Sequence, residues 1–78
     1  MLIRYFAGAA EAAGMTEESV DAGPLAVSEL VARLGVERER LSRVLAVSAL
    51  LVDGRVAKPG DTVAPGARVD VLPPFAGG

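Results

Sequence analysis

One apolar stripe with helical spacing most constrains how this chain of 78 residues can fold. The stripe falls at positions i, i+3, i+4 and i+7 and consists of Val27, Leu30, Val31 and Leu34. Gly35 follows it, at a place where a left-handed glycine commonly ends a helix. A chain this short buries only about 60% of the surface that its unfolded form exposes, so its core must be simple. One sheet packed on one principal helix would bury the stripe, and we therefore predict an α+β domain.

Short strands are predicted before this helix. The opening segment LIRYFA is rich in aromatic and branched side chains, and alternation places Leu2, Arg4 and Phe6 on one face of a strand. Residues 17–23 are short enough to form a second strand paired with the first. Between them, residues 7–14 (AGAAEAAG) have room for only a turn or two of helix between glycines, and we interpret them as a connector.

More strands are predicted after the helix. Residues 49–57 (ALLVDGRVA) indicate a hairpin, with Asp53 and Gly54 supplying the two positive φ angles of a type I′ turn. Residues 68–72 (RVDVL) alternate strictly, so Asp70 is expected to face solvent between two inward valines. The intervening helix allows the first and last strands to pair in parallel, which would place both in the middle of a mixed sheet.

Composition and charge exclude several classes of function. The chain is 51% hydrophobic and 23% charged, which indicates a globular domain and not a disordered segment. Its net charge of -2 does not provide the basic surface that a phosphate backbone requires, so no nucleic-acid partner is predicted. The longest apolar run, residues 44–52, is far shorter than the roughly 18 to 20 residues of a membrane span, so no membrane partner is predicted. Because no export signal is visible, the predicted location is the cytoplasm.

The chain contains no cysteine and no histidine. Disulfides, thiolate or imidazole metal ligands and nucleophilic mechanisms with a histidine base are therefore excluded. Three aspartates could be imagined as metal ligands, but Asp53 and Asp61 lie in turn sequences and Asp70 in the alternating strand. We predict no metal site, no bound cofactor and no catalytic side chain.

The C-terminal sequence VLPPFAGG divides the chain into a body and a tail. Pro73 and Pro74 lack N–H groups and fix φ, so the ladder of the last strand cannot continue into them. We therefore predict a domain at residues 1–72 and an extended tail at residues 73–78.

A glycine pair ends this tail. Gly77 and Gly78 carry no Cβ, so the end of the chain could enter a channel that any side chain would block. The terminal carboxylate would then be a substrate presented to another protein, and it would need activation before its oxygen could be displaced. The alternative is a frayed terminus without a role, but Phe75 exposed on such an end would lower solubility unless a partner buried it.

The sequence resembles a known family, the small sulfur carriers of molybdopterin synthase, which have the ubiquitin-like β-grasp fold. The resemblance covers YFAGAAEAAG, LVDGRVA and VAPGARVDVLPPFAGG, and the tail is its most specific part. It implies that an E1-like activating enzyme uses ATP to adenylate Gly78. It further implies that sulfur converts Gly78 to a thiocarboxylate, which the large subunit of the synthase uses to place sulfur on a pterin precursor.

The resemblance assigns roles to single residues. Gly77 and Gly78 match the reactive pair of the family, and Pro73, Pro74 and Phe75 match the neck that precedes it. These matches imply that the neck contacts the partner while the glycines carry the chemistry.

Phe6 and Ala76 complete the implied partner-binding set. Phe6 matches an aromatic residue of the first strand that helps to form a partner-facing patch, although a place in the core is the alternative for this residue. Ala76 stands where a serine is common. Two positions depart from the family pattern: Ala10 replaces a common arginine, and Asp53 replaces a common asparagine while preserving the turn chemistry.

Other functions remain open. The same tail would serve a sulfur carrier for thiazole or amino-acid biosynthesis, or a ubiquitin-like modifier conjugated to lysines of other proteins. Lys58 is the one lysine that could accept a link to a second copy. A plain interaction module with an inert tail is the third alternative.

Overall fold

The first and last strands lie side by side and in parallel at the centre of the sheet in the computed structural model, which describes residues 1–74. In chain order the elements are β1 (Leu2–Tyr5), α1 (Gly8–Ala13), β2 (Glu17–Ser19), β3 (Leu25–Ala26), α2 (Val27–Gly35), α3 (Glu39–Val47), β4 (Ala49–Val52), β5 (Arg55–Val56), β6 (Thr62–Val63) and β7 (Arg68–Leu72). The predicted helix and the predicted parallel pairing are both confirmed.

The main sheet has five strands in the order β2-β1-β7-β4-β5. β1 pairs with β7 in parallel, whereas β2, β4 and β5 join antiparallel to their neighbours. β3 and β6 form a separate two-stranded sheet beside the start of α2. The predicted α+β class is confirmed, and the arrangement is the ubiquitin-like β-grasp, a mixed sheet packed on helices.

The core lies between one face of this sheet and the helices. The fully buried side chains of the cluster include Ile3, Val69 and Val71 from the two central strands, Leu30 from α2 and Leu41 from α3. Because the sheet buries only alternate residues, the opposite set of side chains on each strand faces away from the helices.

The segment predicted to be a connector, residues 7–14, contains the helix α1 (Gly8–Ala13). The chain turns at Ala7, which has φ 48° and ψ -127°, and the N–H of Ala9 donates to the carbonyl of Phe6 at 3.0 Å. Ala9 is fully buried against the core. This tertiary packing stabilises a helix that is too short to form alone, which is why local propensity gave the wrong prediction.

Gly35 lies within α2 and does not have the predicted left-handed conformation. A Cβ placed on it would lie 3.0 Å from Cβ of Ser42 in α3, so the absence of a side chain lets the two helices approach closely. In the segment between α2 and α3, the residue with a positive φ is instead Glu37, at 57°. The prediction was wrong because the glycine is explained by the close approach of two helices, which depends on a residue of the next helix.

The predicted type I′ turn is confirmed, with φ of 49° at Asp53 and 84° at Gly54. The Asp53 carboxylate also accepts a hydrogen bond from the N–H of Arg68 at 2.9 Å. The N–H of Asp53 donates to the carbonyl of Arg68 at 2.8 Å. Asp53 therefore connects the hairpin turn to the first residue of β7, with its carboxylate as the acceptor in one bond and its backbone N–H as the donor in the other.

A polar network connects β1, β2 and the segment between α2 and α3. The Tyr5 hydroxyl donates to Glu18, and Nη2 of Arg38 donates to Oε1 of Glu18 at 2.7 Å. Nε of Arg38 donates to the carbonyl of Leu34 at 2.9 Å. Burial opposes ionisation of Glu18, but the bonds from Tyr5 and Arg38 outweigh it and leave the pKa of Glu18 below its ordinary value. Burial, and then the Glu18 carboxylate, raise the pKa of Tyr5.

This network predicts an acid-sensitive contribution to stability. Because the pKa of Glu18 is lowered in the folded state, its contribution is present above the ordinary value of 4.5 and is lost as the pH falls through the lower folded value. Glu18→Gln should reduce the free energy of unfolding by about 1–2 kcal/mol at neutral pH and should make the loss on acidification shallower. Urea denaturation from about pH 7 to about pH 3 measures both effects.

Glu29→Gln on the exposed side of α2 is the matched control, and it should change the free energy of unfolding by less than about 0.5 kcal/mol. If the Glu18→Gln protein lost stability on acidification as steeply as the wild type, the assignment of this carboxylate would be wrong.

Candidate docking face and C-terminal neck

The neck of the predicted tail begins directly at the end of β7. That strand ends at Leu72, and Pro73 is half-buried while Pro74 is exposed. The predicted site residues Phe75, Ala76, Gly77 and Gly78 lie outside the residues that the structure describes. The path of the chain from the sheet toward the C-terminus is therefore defined as far as Pro74.

One face of the main sheet is turned away from the helices, and we call it the open face. Alternation places Leu2 and Arg4 of β1 there, because their neighbours Ile3 and Tyr5 point into the core. The strand registers bring the corresponding residues of β2, β7, β4 and β5 into the same surface. The open face consists of Leu2, Arg4, Phe6, Glu17, Ser19, Ala49, Leu51, Val56, Arg68, Asp70 and Leu72.

Phe6 lies on the open face and not in the core. Its side chain is 39% exposed, which excludes the alternative of a core position. The N–H of Phe6 donates to the carbonyl of Val71 at 3.2 Å, so the parallel pairing with β7 continues beyond the end of β1. This pairing places Phe6 beside Leu72, the last residue of β7 before the neck.

Arg4 and Asp70 form an ion pair in the middle of the open face. Nε of Arg4 donates to Oδ1 of Asp70 at 2.8 Å, and Nη2 donates to Oδ2 at 3.1 Å. The hydrogen bond from Arg4 lowers the pKa of Asp70 despite the opposing effect of burial, and the same bond raises the pKa of Arg4. The Arg4 guanidinium also lies over the Phe6 ring, 5.5 Å from its centroid.

The prediction that Asp70 faces solvent was wrong. Asp70 points to the expected side of β7, but only 7% of its surface is exposed because Arg4 covers it. The signal for this pair was present in the sequence, since Arg4 and Asp70 face the same side of two strands predicted to pair in parallel. The sequence alone did not predict the register, which places these two residues directly opposite each other.

Within residues 1–74, no group of three or more acidic, histidine or cysteine residues could hold a metal ion. A cavity of about 320 Å³ lies between α2, α3 and Pro59, and its lining residues include no ionisable side chain. Across the same residues, each helix is too short or too polar to cross a membrane.

Comparison with solved structures identifies similar folds. SAMP1 from Haloferax volcanii is 30% identical with a TM-score of 0.85, covering 100% of this chain and 98% of that chain. A putative molybdopterin converting factor subunit 1 from Pyrococcus furiosus is 24% identical with a TM-score of 0.79, covering 95% of each chain. A chain from the complex of subunits 1 and 2 of molybdopterin-converting factor from Helicobacter pylori is 24% identical with a TM-score of 0.70, covering 99% of this chain and 96% of that chain.

The family assignment rests on the sequence itself. No curated protein sequence matches the chain significantly. The ThiS family, by contrast, matches residues 3–78, which include the open-face strands, the neck and the glycine pair. This chain therefore belongs to the ThiS family and is a small ubiquitin-like protein of the sulfur-carrier or modifier type.

Proposed function

We propose that this protein is the sulfur-carrying small subunit of a molybdopterin synthase and that Gly78 is its reactive residue. The observation that carries the proposal is the sequence PPFAGG directly after the central strand β7, within the segment that matches the ThiS family. The similarity to two proteins described as molybdopterin-converting factor supports this branch of the family.

In this proposal the chemistry takes place on the main-chain carboxylate of Gly78. A carboxylate resists attack because its charge repels nucleophiles and oxide is a poor leaving group. An E1-like enzyme joins the carboxylate to the AMP part of ATP and releases pyrophosphate, and a sulfide-level donor then displaces AMP to give the thiocarboxylate. The large subunit of the synthase uses this sulfur on a pterin precursor.

The folded body presents the reactive end and does not catalyse. Several of its ionisable side chains are engaged in structural pairs, as with Arg4 and Asp70 or Arg38 and Glu18. Phe6 and the apolar residues beside it offer a surface next to the neck, where a partner could dock while it binds the tail. The partners supply ATP, metal and nucleophile, and the location of this reaction in the cytoplasm stays a prediction.

Conjugation to other proteins is the second candidate function. SAMP1 from Haloferax volcanii is 30% identical over the whole chain. A second similar structure, 28% identical, is described as H. volcanii small archaeal modifier protein 1. The same adenylated Gly78 would then be attacked by a lysine amine in place of sulfide. Isopeptide-linked adducts in a lysate that contains the activating enzyme and ATP would favour this function or a combination of the two.

The proposed sulfur chemistry predicts a defined change in mass. Incubation of the purified protein with its activating enzyme, ATP and a sulfide donor should replace one oxygen of the Gly78 carboxylate by sulfur. Intact-protein mass spectrometry measures the increase, and fragmentation assigns it to the C-terminal residue. A protein lacking Gly77 and Gly78 is the control and should not change in mass. No change in the full-length protein, with an activating enzyme that adenylates another carrier, would contradict the proposal.

The proposed docking role of Phe6 predicts a loss of affinity. Phe6→Ala should weaken binding to the large subunit by about 2 kcal/mol, because truncation removes an aromatic contact at the docking surface. Isothermal titration calorimetry with the purified large subunit measures the change. Val47→Ala is the matched control, since Val47 is 65% exposed but lies at the end of α3 and not on the open face. Equal affinities of the two variants for the large subunit would show that Phe6 is not part of the interface.

A further inference from the structure

We infer that the Arg4–Asp70 pair determines which partners can dock on the open face, by presenting the free edge of the Arg4 guanidinium to a neutral oxygen acceptor of the partner. This inference rests on the proposed function, because it concerns the proteins that would bind the carrier. The partner it specifies has an apolar docking surface with one backbone carbonyl or side-chain amide oxygen opposite Arg4.

The pair occupies a central position on the open face. By the strand registers, Arg4 and Asp70 lie in one row across the sheet, with Glu17 next to Arg4 and with Leu51 and Val56 beyond Asp70. Phe6 and Leu72 lie in the next row toward the neck. Because the Arg4 guanidinium lies 5.5 Å from the centroid of the Phe6 ring, a partner that covers Phe6 also meets Arg4.

Arg4 retains hydrogen-bonding capacity for such a partner. A guanidinium has five N–H donors, and the bonds to Asp70 use one on Nε and one on Nη2. The side chain of Arg4 is 37% exposed, whereas that of Asp70 is 10% exposed. The cation is thus the more exposed member of the pair, and the N–H groups of Nη1 take no part in its bonds to Asp70.

The charge of the pair favours a neutral acceptor. Asp70 already balances the charge of Arg4, and Glu17 lies opposite Arg4 on β2, so a carbonyl oxygen can complete the hydrogen bonds without adding a charge to the interface. A partner carboxylate would bury a second negative charge next to Asp70, and desolvation would oppose this. A wholly apolar partner surface would leave the free Arg4 donors without acceptors, which is also unfavourable.

Arg4 also positions Phe6. Its guanidinium lies 5.5 Å from the centroid of the Phe6 ring, a distance that favours a cation–π contact. An aromatic ring held in place before docking loses less conformational freedom on binding. Asp70 fixes Arg4 through two bonds and so acts on Phe6 indirectly, as a positioning residue.

Two double variants separate this role from a purely structural one. Arg4→Asp combined with Asp70→Arg keeps one ion pair and the net charge but moves the guanidinium from β1 to β7. Arg4→Leu combined with Asp70→Ala replaces the pair by apolar groups, a change that is often neutral for stability. Both proteins are compared with the wild type by urea denaturation and by calorimetric titration with the purified activating enzyme and the purified large subunit.

We expect both double variants to fold with nearly wild-type stability and to bind at least one of the two partners about tenfold more weakly or worse. We also expect salt to affect the Kd of the wild type and of the apolar variant equally, since a neutral acceptor adds no charge pair. A stronger salt dependence in the wild type would mean that the partner offers a carboxylate and would overturn the neutral-acceptor assignment.

The remaining outcomes are also decisive. If a stable double variant bound both partners with wild-type affinity, or if neither variant folded, the pair would be structural only and the inference would be wrong. If the wild-type protein itself bound neither partner, the proposed function would fail, and this inference with it. The wild-type titration therefore distinguishes failure of the function from failure of the inference.

Discussion

The parallel pairing of β1 with β7 is the constraint on which the rest of this structure depends. It joins the two ends of the chain at the centre of the sheet, with Ile3 opposite Val69 and Tyr5 opposite Val71. One face of this pair supplies the centre of the core, and the other supplies the middle of the open face. The last strand is central and not at an edge, with β1 on one side and β4 on the other. The chain that leaves it at Leu72 therefore starts from a strand that is hydrogen-bonded on both sides.

The two faces of the central strands separate the core from the proposed docking surface. The inward side chains are apolar except for the Tyr5 hydroxyl and are fully buried or nearly so, and they hold the helices against the sheet. The outward side chains combine Phe6 with the ion pair of Arg4 and Asp70. A substitution at an outward position should therefore have little effect on the core, and this independence would suit the proposed carrier, which would bind more than one protein.

Much of the fold could be predicted because its signals are local. The helical stripe of α2, the Asp53–Gly54 turn and the strand pattern of residues 68–72 are each contained within a few residues, and the structure confirms the helix, the turn and the strand. The prolines after β7 likewise mark the end of the strand by their own chemistry. The resemblance to the sulfur carriers is local in the same way, because its most specific part is the short sequence PPFAGG.

The features that sequence reasoning missed depend on contacts between different elements of the fold. α1 forms because Ala9 packs into the core, and Gly35 is needed because Ser42 of the next helix lies against it. Asp70 is buried because the register places Arg4 beside it. In each case the residue type was ambiguous by itself, and its partner, more than the local pattern, determined its conformation or environment.

The central claim is that the chemistry lies on the main-chain carboxylate of Gly78 and that the folded body only presents it. A semisynthetic protein whose C-terminal carboxylate is replaced by a carboxamide tests this most directly, since every side chain and the whole sheet are retained. We expect it to bind the activating enzyme but to release no pyrophosphate from ATP, whereas the unmodified protein releases it. Pyrophosphate release at the normal rate from the carboxamide protein would show that activation occurs elsewhere and would contradict the account.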